Sequence, residues 1–391
     1  MIKKALLTFL LLMFCCPAGV FAEDFEAAPL SMAEQQQKNL DLRELETFLH
    51  EVDQEVQSYL PEISFTQMIE SFKKGDLELS PHQIMDGIIR YFFREITANL
   101  SLLGKLLIVA VICCVLQNLQ AAFEGGTIAR LAYFVCFLAI ITIALGSFKV
   151  AAAAGLASID KMVTFMKLLL PVLLVLLTAM GGLISVTLLQ PSLLVFLSFM
   201  SAFTQGIIFP LIYLNAVLGI VNNLSERYKV SRLSGLVKQL TKVGIGLVLT
   251  LFIGVITVEG VAGAVVDGVT LRTAKFMTGT FVPVAGSMFA DALDAVIGGS
   301  LLLKNAVGLT GVLVLGAIIL FPVLKILAVA IIYRLAAALL QPLGDSLIAD
   351  TLEDLAGSLF LAFAAVLSVA IMFFLTITII VGMANFTVML R

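Results

Sequence analysis

Asp291 and Asp294 stand three residues apart, on one face of a helix, between the small residues Ala290, Ala292 and Ala295. Gly298 and Gly299 follow, and then Lys304 and Asn305. Two carboxylates, a cation and an amide on one apolar stretch are the materials of a polar pathway through lipid. A charge at membrane depth is costly unless it faces water, a partner or a counter-charge. The alternative places 285–305 at the outer interface, where the same groups are merely hydrated. Glu259, near the end of another apolar run, is the next candidate for such a pathway.

Enzymatic constellations are missing their parts. His50-Glu51 opens a zinc-protease pattern without the second histidine, and the other histidine, His82, lies near a helix start. Gly104-Lys105 has neither the preceding glycine nor the following hydroxyl of a phosphate loop. Pro342-Leu343-Gly344-Asp345 lacks the first glycine of an intramembrane aspartyl protease motif. The reading is a protein that is not an enzyme, with no catalytic, cofactor or metal site. Any ATP-driven step then belongs to a partner.

The elements that hold these residues are apolar helices. With 60% hydrophobic and 13% charged residues, and a mean hydropathy of +1.09, the chain is excluded from the soluble globular class. The expected fold is all-α, a polytopic helical membrane protein. No basic cluster resembles a nucleic-acid footprint.

Residues 1–22 read as a secretory signal: Lys3 and Lys4, a short apolar run, then Val20-Phe21-Ala22 as a cleavage site. Residues 23–100 hold 16 of the 27 acidic residues against 6 Lys/Arg, which marks an extracytoplasmic segment facing water. Leu45, Phe48, Leu49, Val52 and Val56 recur at helical spacing there. Phe48 and Val52 are the candidate docking residues for a partner, an internal lid being the plainer reading. Ser80-Pro81 starts a helix that runs toward the first span near Leu102.

Residues 101–391 form the membrane domain. Spans are expected at about 102–122, 131–149, 205–221, 243–263, 306–333 and 357–386. Residues 150–167 read as an Ala/Gly-rich connection and a short helix with Lys161 and Lys167. Broken hairpins are expected at 163–203 and 276–303, crossing or re-entrant, with Pro171, Gly181-Gly182, Pro191 and Pro210 as break points. Arg130 and Lys242 each precede an apolar helix (242 − 130 = 112), and Ile208-Phe209-Pro210 recurs as Leu320-Phe321-Pro322 (320 − 208 = 112). Phe165-Met166 recurs as Phe276-Met277 (276 − 165 = 111). This register suggests a duplication, with copies at about 117–223 and 229–335 and a final span at 357–386. The basic segment 225–242 and Arg334 are expected in the cytoplasm by the positive-inside rule. Arg391 then falls outside.

Specific runs carry a resemblance. Gly75-Asp76-Leu77-Glu78-Leu79-Ser80-Pro81, Gly87-Ile88-Ile89-Arg90 and Glu95-Ile96-Thr97-Ala98-Asn99 resemble the stage III sporulation protein AE family. So do Phe281-Val282-Pro283-Val284-Ala285-Gly286, Asp291-Ala292 and Leu303-Lys304-Asn305-Ala306-Val307-Gly308. The resemblance covers essentially the whole chain. It implies a multi-pass protein of the mother-cell membrane facing the forespore, in a channel or secretion-like complex that sustains late forespore gene expression. It also implies partners: other stage III sporulation membrane proteins, including a separate ATPase and ring-forming components. Two roles stay open, a permease-like or export-gate subunit and a non-conducting scaffold that anchors the other components.

Overall fold

The computed structural model describes Leu45, residues 47–52, 81–122, 127–224, 230–281, 285–343 and 346–389. The chain divides into Met1–Asp41 and Leu42–Arg391, and every described residue lies in the second unit. Among them all regular structure is helical: α1 Pro81–Ala122, α2 Thr127–Ala179, α3 Leu183–Phe203, a π-helical turn Thr204–Ile208, α4 Phe209–Leu224, α5 Ser231–Phe281, α6 Ala285–Leu340, a 3₁₀ turn Gln341–Leu343, and α7 Ser346–Met389. Six stretches are long and apolar enough to cross a membrane: Asp86–Leu116, Leu131–Ala179, Leu183–Leu224, Ser231–Thr270, Lys304–Leu340 and Leu347–Met383.

These helices are longer than the spans read from the sequence. The 56 residues of α6 make about 84 Å of helix at 1.5 Å per residue, against a hydrocarbon core of about 30 Å. The expected hairpins are therefore not separate units. The first leg of 163–203 is the end of α2 and its second leg is α3; residues 285–303 of the second hairpin are the start of α6. The expected connection at 150–167 is corrected as well, because it is continuous helix within α2. Ala151 to Ala154 supply the strongest helix-forming residue four times in succession, and nothing nearby ends the helix.

Of the four expected break points only Gly181-Gly182 breaks the chain. Pro171 and Pro191 lie inside α2 and α3. In a membrane helix the carbonyls that a proline frees find other donors. Pro210 acts differently. The turn before it widens into the π form, and the Phe209 N–H reaches back five residues to the Thr204 carbonyl.

Side-chain ties set the order of the bundle. Ser158 Oγ donates to the Ile318 carbonyl at 3.2 Å, and the buried Tyr333 hydroxyl donates to the Ala144 carbonyl at 2.5 Å. Moving back along α2 from Ser158 to Ala144 thus moves forward along α6 from Ile318 to Tyr333, so the two helices are antiparallel. By the same test α3 runs antiparallel to α5, through Ser185 with Asp267 and Ser192 with Glu259. Helices α5 and α7 run parallel: Gly357 lies by Lys238, and further along Ile379 lies by Gly260. Helix α7 is central, meeting α6, α5, α2 and α4. Its face from Leu352 through Leu359, Val366 and Phe373 to Ile380 is almost completely buried. Outward faces carry apolar side chains such as Ile108, Val135 and Val258, all more than 60% exposed, as a lipid-facing surface does.

Candidate functional site

The sharpest corner of the fold is built from glycine. Gly181 has φ 90°, a left-handed conformation that glycine adopts without a Cβ penalty, and it ends α2. Its N–H bonds the Thr178 carbonyl at 2.9 Å, and the Gly182 N–H bonds the Leu177 carbonyl at 3.0 Å. A Cβ at Gly182 would lie 2.9 Å from the Leu177 oxygen. Helix α3 begins at once, without a side-chain cap of its own. Its first N–H groups need acceptors, because a helix start has no intrahelical partner for them.

Asp267 of α5 supplies the acceptors. Its Oδ1 receives the Ile184 N–H at 2.9 Å and its Oδ2 the Ser185 N–H at 3.0 Å. The carboxylate is 1% exposed. A buried charge is tolerable here because two N–H groups and the positive end of the helix dipole face it. The close approach depends on Gly263, one turn back along α5, where a Cβ would sit 2.9 Å from the Ser185 Cα. Asp267 is not singled out for this role by sequence reasoning. Two signals were present: α3 starts Gly-Gly-Leu-Ile-Ser without a capping residue before it, and Asp267 is an isolated acid in a glycine-spaced apolar helix.

About two turns deeper, Glu259 of α5 accepts a hydrogen bond from the Ser192 hydroxyl at 2.5 Å. Lys304 of α6 is fully buried, and its Nζ donates to the Val381 carbonyl of α7 at 2.7 Å. Helices α6 and α7 touch closely there, since a Cβ on Gly308 would lie 2.3 Å from a Val381 methyl. Beside Lys304, Asn305 keeps a buried Oδ1 without a hydrogen-bond partner. Glu259 and Lys304 do not meet. Gly260, next to Glu259, packs on Ile379 and Met383, whereas Lys304 reaches Val381. Thus α7 stands between the two ionisable groups. The backbone of Asp291 and Asp294 belongs to α6, and their side chains lie outside the described residues.

At the opposite end of the bundle polar side chains bond one another. Asn215 Nδ2 donates to Ser358 Oγ at 2.7 Å, Ser358 donates to the Asp354 carbonyl at 3.0 Å, and Asn223 donates to Asp354 Oδ2 at 3.2 Å. Gly219 gives Asp354 its room, because a Cβ there would lie 2.8 Å from the Asp354 Cβ. Arg334 lies over the Phe360 ring at 4.6 Å.

The candidate docking residues face inward. Phe48 stacks on Phe165 of α2 with ring centroids 5.8 Å apart, and Val52 is 5% exposed in the main core. Thr47, His50 and Glu51 take the outward positions of that turn. Tyr91 likewise meets Phe321 edge-on at 4.7 Å. Among the described residues no group of three or more His, Cys, Asp or Glu converges as a metal site.

Six membrane-length stretches, the central α7 among them, with a buried acid on a helix start and a buried lysine on a backbone carbonyl, define a multi-pass α-helical membrane protein. The chain belongs to the stage III sporulation protein AE family, whose profile matches residues 63–384. It is 40% identical over 369 residues to the stage III sporulation protein AE of Bacillus subtilis (strain 168), covering 94% of this chain and 92% of that one. No solved structure matches it.

Proposed function

We propose that this chain is a permease-like or export-gate subunit of the stage III sporulation membrane complex, acting without catalysis of its own. The observation that carries the reading is Lys304. A fully buried cation on a membrane span, bonded to a backbone carbonyl and adjoined by an unpartnered amide oxygen, is more than packing asks for. Asp291 and Asp294 precede it on the same helix, so α6 carries several ionisable residues before and at the start of its apolar stretch. The ATPase and ring-forming components implied by the family would supply energy and continuity across the intermembrane space. In this reading the signal is cleaved, 23–100 is extracytoplasmic, and the connections at 225–230 and 341–345 face the mother-cell cytoplasm.

The test is a double substitution, Asp291→Asn with Asp294→Asn, combined with Lys304→Met in a second strain. Spore formation and late forespore gene expression should fall while the protein still copurifies with its complex. Normal sporulation in all variants sinks the conduit role. Loss of copurification transfers the role to the scaffold reading. Orientation is checked by a cytoplasmic reporter inserted after Tyr228, which should be active. An active extracytoplasmic reporter at that site reverses the arrangement.

A further inference from the structure

A groove of about 490 Å³ opens between α5, α6 and α7 near the end of the bundle that carries the 225–230 and 341–345 connections. Its mouth is cationic. Lys238 and Lys242 of α5 and Arg334 of α6 line it, and Lys238 Nζ lies 3.3 Å from where a Cβ on Gly357 would stand. Among the described residues none of these three cations makes a salt bridge. Asp354 of α7 lies within electrostatic range of Lys238 but is turned toward Asn223 and Gly219, and Asp350 and Glu353 lie close to it on the same helix. Among the described residues no carboxylate lines the groove, so its three cations leave the mouth positive.

The rest of the groove is apolar. It follows α5 from Lys242 past Gly246 to Leu249, over a floor of α7 from Gly357 through Leu361 to Ser368. Helices α5 and α7 are parallel here, and each runs eleven residue steps along the groove, from 238 to 249 and from 357 to 368, with five positions of each lining it. At 1.5 Å per residue that is a trough of about 16 Å. Gly246 is open on its groove side, where a Cβ would meet nothing within 4 Å.

We propose that this groove is a specific seat for one anionic phospholipid. The phosphate is held by Lys238, Lys242 and Arg334 at the level of the headgroups, and an acyl chain lies along the glycine-opened trough toward the middle of the bilayer. A free anion would need the cations but not the trough. A zwitterionic lipid would fit the trough but would bring no net charge to the mouth. Basic pockets between membrane helices select anionic headgroups on this electrostatic ground. The seat joins α5, α6 and α7, so the lipid acts as a structural member between the helices.

The test uses the full chain, purified in a neutral detergent, titrated separately with phosphatidylglycerol, phosphatidylcholine and sn-glycerol 3-phosphate. Binding is read as lipid retained in native mass spectra. Phosphatidylglycerol should bind one per chain and outcompete phosphatidylcholine. Lys238→Gln, Lys242→Gln and Arg334→Gln together should weaken it about 100-fold, at roughly a factor of five per cation. Gly246→Leu, which keeps every cation and fills the trough, should weaken it as well. Equal binding of phosphatidylcholine overturns the proposal, and so does displacement of the lipid by glycerol phosphate at equal concentration, which marks a free-phosphate site. Unchanged affinity in a folded triple variant overturns it too. Should the triple variant fail to fold, unchanged affinity in Gly246→Leu overturns it alone.

Discussion

The two ends of this bundle use buried polarity in different ways. At the Gly181 end ionised side chains serve backbone: Asp267 closes the start of α3, and Lys304 reaches a carbonyl of α7. At the other end, Asn215, Ser358, Asn223 and Asp354 bond mainly one another, and three cations line an open groove. Backbone groups cannot move away when a partner is lost, whereas side chains can turn to water or to new neighbours. The first end is therefore the fixed part of the fold and the second the adaptable one.

Removing the fixed partner should have the largest effect. Asp267→Ala leaves two N–H groups at a buried helix start without acceptors, and should cost about 2–6 kcal/mol at roughly 1–3 for each orphaned group. Thermal unfolding in detergent, followed by helical circular dichroism, measures it. A loss no larger than that of Asp354→Ala would erase the contrast between the two ends. Gly263→Ala is expected next, at about 1–3 kcal/mol, because the new Cβ meets the Ser185 backbone at 2.9 Å as well as its side chain, so turning the side chain away does not relieve the clash. Asn215→Leu, at the adaptable end, should cost only about 1 kcal/mol, since Ser358 keeps its bond to the Asp354 carbonyl.

Lys304→Met sharpens the comparison most at the smallest cost in stability. The Val381 carbonyl lies within α7 and keeps its helical partner, unlike the N–H groups at the start of α3, and replacing a buried charge with an apolar side chain of similar volume is often neutral, so a change within about 1 kcal/mol is expected. Sporulation should nevertheless fall. A large loss of stability would make Lys304 a structural tie like Asp267 and remove it from the proposed pathway.

Much of this arrangement is legible in the sequence. Composition gives the helical membrane class, apolar runs give six spans, Ser80-Pro81 gives the start of α1, and Gly181-Gly182 gives the corner. Helix length was not legible, because hydropathy marks where a helix meets lipid and says little about where it ends in water. Pro171 and Pro191 misled for a related reason: proline's local cost is met by neighbouring helices that no local pattern reveals. Asp267 and Ser185 are 82 residues apart in sequence, so their pairing is a tertiary fact. The inward turn of Phe48 onto Phe165 is another, since an amphipathic stripe names a buried face without naming what buries it.

The cap on α3 also bears on how the protein is made. The corner at Gly181 emerges from the ribosome well before Asp267 does, by the 83 residues that separate Ile184 from its acceptor. Until α5 has been synthesised and inserted, α3 starts with two bare amide groups. The nascent hairpin of α2 and α3 must hold that end in water or against the insertion machinery. Arrival of α5 then brings both the acid and the glycine that lets it approach. Completion of the first half of the membrane domain thus waits on translation of the second, which makes α5 the timing element of biogenesis.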